Sequence, residues 1–352
     1  MKPIFSFSLC LRSLAAVLLM AGVLTGCSEK TQSPVGARDA GPEGWKWERK
    51  VTLVCPWGVG GGADGTLRPL QPLLQDLLGV PVEIVNVEGA GGANAMQFTF
   101  RQPADGYTYV LTTQSMILLD LQKILPVDYR KEFRPVSKLV HSTNLLISSK
   151  KSMQGKFEDF AGLLEYAKSH PQDLACGMLT ATGQDSVAMK QTLAGGLAVS
   201  IQEVEKYIKT VSYGGGAEVS SALVGGHLAL AVAGAEEIKG LVDSGDIVPL
   251  VAMAENRVSA VPDVPCTKEL GIESSIGSWR AIYARTATPQ AAVDSLAAAL
   301  KQAWDMPAYQ EFLANSGYLD RPGYATAAET AALADSEYLV FTDYLKAIGI
   351  MK

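Results

Sequence analysis

The sequence is poor in the residues that most often carry catalysis or hold metals. Its three histidines, His141, His170 and His227, stand far apart and outside any metal-ligand spacing. Neither G-x-S-x-G nor H-E-x-x-H occurs, which removes two common hydrolase signatures. Ser186 follows Asp185, but no histidine accompanies them to complete a triad. Of five cysteines, Cys10 and Cys27 lie near the N-terminus, and Cys55, Cys176 and Cys266 form neither a C-x-x-C pair nor a zinc pattern. Buried free thiols are the default expectation, with one disulfide plus an odd thiol left open. Basic clusters are missing too. Thirty Lys and Arg against 36 Asp and Glu give a net charge of −6, which argues against a nucleic-acid partner. The expectation is a chain that is not an enzyme and uses no cofactor or metal.

Long apolar runs are equally scarce. The segment 13–24 (SLAAVLLMAGVL) falls short of the roughly 20 residues a spanning helix needs. With Lys2 and Arg12 before it, it reads as the h-region of a signal peptide. It runs into Leu24-Thr25-Gly26-Cys27, which resembles a bacterial lipobox; that resemblance implies removal of residues 1–26 and a lipid on Cys27. Residues 28–44 are polar and rich in Gly, Pro and Ser, so a flexible tether is expected over 27–46. The remainder is long for one domain and comfortable for two.

From residue 51 onward, short apolar runs alternate with helical patterns, the mark of βαβ units in an α/β fold. Strands are expected at 51–55, 82–87 and 107–112, with helices at 64–78 and 93–101. A long strand-rich stretch, 133–149, leads to a second series of strands at 174–178, 210–212, 228–233 and 247–254. A strand at 279–284 and helices at 289–304, 307–316 and 326–348 close the chain. Two lobes follow, one from 47–143 and 255–352, the other from 144–254, with hinges near 140–146 and 250–256. Pro69 and Pro72 conflict with the helix at 64–78, since each removes a backbone donor.

The informative segments are turns. Gly58, Gly60, Gly61 and Gly62 lie between the first strand and the first helix, where bare backbone N–H groups suit an anion. Gly58-x-Gly60-x-x-Ala63 also satisfies a dinucleotide fingerprint, but export argues against a nicotinamide cofactor. No Lys-Ser/Thr follows the glycines, which excludes a P-loop. Similar turns occur at 88–94, 180–186 and 213–217, so both halves offer anion-friendly loops at strand ends, where open α/β sheets bind ligands. Glu236 and Glu237 begin a helix, where acids suit the helix dipole without any further role.

The ordered motifs VTLVCPWGVGGGAD (51–64), VEIVNVEGAGGANAM (82–96), PADGYTYVLTT (103–113) and VSYGGGAEVSSALVGGHLAL (211–230) resemble the substrate-binding subunit of tripartite tricarboxylate transporters, the Bug family of extracytoplasmic receptors. FRPVSKL (133–139) and VPDVPCTKELGI (261–272) extend the resemblance over most of the chain from residue 51. It implies a two-lobed periplasmic binding protein type II fold, with two parallel or mixed sheets and a hinge, holding a small organic acid. The partners implied are a two-component membrane permease and, through Cys27, the membrane; a monomer is expected. Carried over, one ligand carboxylate would meet Trp57, Gly60, Gly61, Gly62, Ala63, Asp64, Gly91, Gly92, Thr113, Gln114 and Ser115. The other lobe would add Thr182, Gly183, Gln184, Ser186, Tyr213, Gly214, Gly216, Ala233 and Gly234. The sequence departs from the family where Tyr213-Gly214-Gly215 lacks a common lysine, where Ala233 replaces an acid, and at Arg280-Ala281. A sensing receptor without its own permease, or an exported dinucleotide-binding enzyme, are the competing expectations.

Overall fold

In the computed structural model, residues 44–125, 127–213 and 215–351 are described. The signal segment, Cys27, most of the expected tether and Gly214 lie outside that range. Among the described residues, eleven strands form two sheets. They are β1 (Val51–Cys55), β2 (Val82–Asn86), β3 (Thr108–Thr112), β4 (Phe133–Ser142), β5 (Asn144–Ser149), β6 (Leu174–Met178), β7 (Ile208–Ser212), β8 (Leu230–Gly234), β9 (Ile247–Ala252), β10 (Ser278–Arg285) and β11 (Ala325–Thr326).

The first sheet has the order β11-β4-β10-β3-β1-β2, the second β7-β6-β8-β5-β9. In each, three strands run parallel, β2-β1-β3 and β7-β6-β8, because helices make the crossovers. Antiparallel strands complete both sheets: β10 pairs with β3 and β4, and β5 pairs with β8 and β9. β1, β5 and β10 are buried along nearly their whole length, as strands covered on both faces are.

The chain passes between sheets twice. Thr143 alone separates β4 from β5, and residues 253–277 join β9 back to β10. Arg321 ties these passages together. Its guanidinium donates to Thr143 Oγ1 at 2.9 Å, Met253 O at 2.6 Å and Ser275 O at 2.9 Å. Asn144 Nδ2 adds a bond to Ile276 O at 2.9 Å.

The single helix expected over 64–78 is two helices, Gly62–Leu67 and Leu70–Leu78. Pro69 is the N-cap of the second and Pro72 falls in its first turn. The N–H groups of a first turn have no intrahelical partner, so neither proline removes a helical bond. An unexpected helix, Ser115–Leu121, follows β3; it is buried nearly all round, so its sequence SMILLDL shows no amphipathic period. Cys55, Cys176 and Cys266 are buried free thiols. Burial raises the Cys55 thiol to about 11.

Candidate functional site

The first glycine turn is shaped by its own acid. Asp64, almost fully buried, accepts Gly60 N–H at 3.0 Å, Arg68 Nη2 at 2.9 Å and Asn86 Nδ2 at 3.0 Å. Burial opposes its charge, but the bonds from Arg68, Gly60 and Asn86 prevail and hold its carboxyl below the usual range. Asn86 also donates to Trp57 O at 2.7 Å, closing the turn from the β2 side. Gly61 N–H is directed to Gly58 O at 3.3 Å. Gly60 and Gly61 are exposed, Gly62 half-buried and Ala63 buried.

In the second turn, Gly89 and Gly92 adopt φ of +111° and +102°, a region that side chains other than glycine's rarely enter. Asn94 Nδ2 holds the turn by donating to Glu88 O at 2.9 Å. After β3, Thr113 Oγ1 accepts Ser115 N–H at 3.2 Å. Gln114 is fully buried; its amide donates to Gly277 O and accepts Trp279 N–H at 3.2 Å, so it anchors the return strand.

Across the cleft, Asp185 bends back to accept Leu179 N–H at 2.6 Å, which shapes the 180–186 turn. Burial raises its carboxyl to about 6. Ser186 Oγ donates to Ala181 O at 2.7 Å, and Gly183 leaves no room for a Cβ beside Thr180 and Asp185. Gln184 Nε2 is buried without a protein partner, a donor aimed at nothing the chain supplies. Tyr213 packs on the second sheet's core beside the 215–217 turn, where Gly216 is exposed and starts a helix. Ala233 and Gly234 end β8 and lead into the helix Ala235–Asp243.

The two sheets' loops meet. Thr182 Oγ1 donates to Gln122 Oε1 at 2.5 Å, and a Cβ placed at Gly91 would touch Thr180 Cγ2 at 3.7 Å. The strongest bridge is ionic. Arg280 projects from β10, and its Nη2 lies 2.9 Å from Glu236 Oε1 and 3.3 Å from Glu237 Oε1. Its Nη1 donates to Tyr318 OH at 2.5 Å, and Ser142 Oγ donates to Glu236 Oε2. Arg280 and Glu236 side chains are 5% and 6% exposed, whereas Glu237 keeps 36%. Burial, and then the neighbouring charge of Glu236, raise the Glu237 carboxyl, although Arg280 and the N–H groups of Gly234 and Gly62 favour its charged form. A side chain at Gly62 would collide with Arg280 Nη2 and Glu237 Oε1, while at Gly61 the nearest atom, Gly58 O, lies at an ordinary 3.4 Å. The glycine turn thus faces a buried cation. A broad open hollow of about 810 Å³ is lined by residues of 150–158 and Val248, and it shares none of these loops.

Residues 66–349 match the family described as "Tripartite tricarboxylate transporter family receptor". The chain belongs to this family. The receptor is 30% identical to a UPF0065 protein of Cupriavidus necator over 289 residues, 80% of this chain and 84% of that one. In fold it resembles an R. palustris protein solved with adipate, at a TM-score of 0.77 and 24% identity, covering 86% of this chain and 97% of the other. It also resembles MatC from Rhodopseudomonas palustris with bound malate, at a TM-score of 0.72 and 24% identity, covering 84% and 98%. The two mixed sheets are those of a two-lobed periplasmic binding protein of type II. The receptor is a solute-binding protein and not an enzyme.

Sequence reasoning noted Arg280 only as a departure from the family and Glu236 and Glu237 only as helix-starting acids, and it missed Tyr318 and the contact that joins all four. One signal was present: an arginine inside the otherwise apolar strand SWRAIYAR, a position buried on both faces. A charge there requires a partner, but that partner lies 43 residues away in sequence and on the other sheet.

Proposed function

We propose that the receptor binds a small organic acid between its two sheets, outside the cytoplasm, and delivers it to a two-component membrane permease. The observation that carries this reading is that strand-end loops of the two sheets approach each other: the Gly62 turn lies against Arg280 and Glu237, the Gly91 turn lies against Thr180, and Thr182 meets Gln122. It combines exposed backbone at parallel strand ends with one buried guanidinium, the chemistry that recognises a carboxylate. Gln184 Nε2 supplies a further unused donor. Relatives of the same fold hold malate and adipate, which makes C4 to C6 dicarboxylates the first ligands to test. The lobes, 47–143 with 255–352 and 144–254, would close by rotation about the passages at 143 and 253–277.

A thermal-shift screen of residues 28–352 against malate, adipate, citrate, aspartate, aromatic acids and NAD tests the reading. Mass action gives about 2.7 kcal/mol at a hundredfold excess over Kd. That corresponds to a rise of about 4 °C in Tm for a chain of this size. A shift with NAD and none with any acid would sink the receptor assignment for this site.

The membrane attachment rests on the Leu24–Cys27 pattern. Replacing Cys27→Ser should move the protein from the membrane fraction to the soluble fraction of its native host, as seen by immunoblot. Unchanged fractionation would remove the lipid-anchor proposal.

A further inference from the structure

We infer that Glu237 is a tethered carboxylate, lying over Gly62 and beside Arg280 in the place that a ligand carboxylate takes, and latching the two lobes together until a ligand displaces it. This rests on the carboxylate-receptor reading above.

Three independent features support it. First, two donors of the glycine turn are already used within the chain, Gly60 N–H by Asp64 and Gly61 N–H by Gly58 O, and Glu237 lies over the third position, Gly62. The helix after the turn has only six residues, so the turn acts through single N–H groups and not through an extended dipole. Second, a Cβ placed at Gly62 would lie 2.3 Å from Arg280 Nη2 and 2.3 Å from Glu237 Oε1, so the two charges lie directly over the turn. Third, the charges do not balance. Arg280 is shared by two carboxylates, and the two are not equivalent. Glu236 is buried and also bound by Ser142, which makes it the permanent counter-ion. Glu237 sits farther from the guanidinium, keeps solvent access and is the one that can leave. When it leaves, Arg280 remains neutralised by Glu236 and braced by Tyr318, so the vacated place over Gly62 holds one cation partner for an incoming carboxylate.

The exchange is isoelectric at the turn, one carboxylate for another. The apparent affinity of the receptor is then reduced by the fraction of molecules in which Glu237 is seated. Arg280 is accordingly a ligand-contacting residue and Glu237 a residue that sets affinity.

The test uses the full chain and Glu237→Ala, which leaves Arg280 and Glu236 paired one to one and so preserves charge balance. Hydrogen exchange of the 58–64 backbone in ligand-free protein reads the seating directly. Calorimetric titration with malate and with adipate reads the competition. The expected result is faster amide exchange over 58–64 in the variant, as the carboxylate covering Gly62 is removed, together with about tenfold tighter carboxylate binding. Unchanged exchange and affinity overturn the proposal. Faster exchange with weaker carboxylate binding also overturns it, because Glu237 then contacts the ligand and does not compete with it. Faster exchange with no acid bound by either protein leaves the tethered contact standing and removes the carboxylate reading on which the displacement step depends.

Discussion

Arg280→Met should destabilise the receptor by about 3–5 kcal/mol, the usual cost of removing one partner from a buried ionic cluster. For a chain of this length that is a fall of about 5–8 °C in Tm. The cause is not the loss of attraction itself. It is that Glu236, at 6% exposure, and the half-buried Glu237 would be left facing each other with no cation between them. The sign of the pH dependence follows. A carboxyl whose folded pKa is raised favours the fold while it is protonated, and that contribution is lost as pH rises through the folded value. Burial and Glu236 already raise Glu237, and without Arg280 the rise is larger. The penalty should therefore be greater at pH 8 than at pH 5. Adding Glu237→Gln to Arg280→Met should restore at least half of the lost stability. Chemical denaturation of the three proteins at both pH values decides it. A loss below about 1 kcal/mol at pH 8 would mean that the carboxylates reach water and that the cluster does not bridge the sheets.

The second large effect belongs to Arg321. Replacing it with Met should cost about 2–4 kcal/mol, because Met253 O, on a residue with no exposed surface, loses its donor and Thr143 loses its partner. The consequence reaches beyond stability. Arg321 is the side chain that joins Thr143, the only residue between β4 and β5, to both ends of the returning passage. Without it, hydrogen exchange at 142–144 and 253–277 should speed up selectively while the β1–β3 core stays protected. Arg321→Lys should not rescue, since a point charge cannot reproduce three bonds made from a planar fork. Exchange that rises uniformly, or a loss under 1 kcal/mol, would show that the guanidinium is not what ties the passages.

Much of the architecture could be read along the chain. The strands β1 and β6 and the helix Ala93–Arg101 have the bounds expected from their apolar runs and flanking turns, because those signals are local. The mixed character of the sheets, the short helix after β3 and the break at Arg68-Pro69 were less visible. Each depends on what packs against the segment and not on its own period.

The sequence by itself determined the α/β alternation, the membership in a family of solute receptors and the glycine turns at parallel strand ends. All of these are written in contiguous residues, where spacing and backbone freedom suffice. Only the tertiary structure decided what those turns face. Asp64 shapes its own loop, Gln114 anchors β10, and Arg280 meets Glu236 and Glu237 from the opposite sheet. The last two pairings depend on segments more than forty residues apart being carried to one point by the fold. The need for a partner is visible in a lone buried charge, but the identity of that partner is a fact of three-dimensional packing.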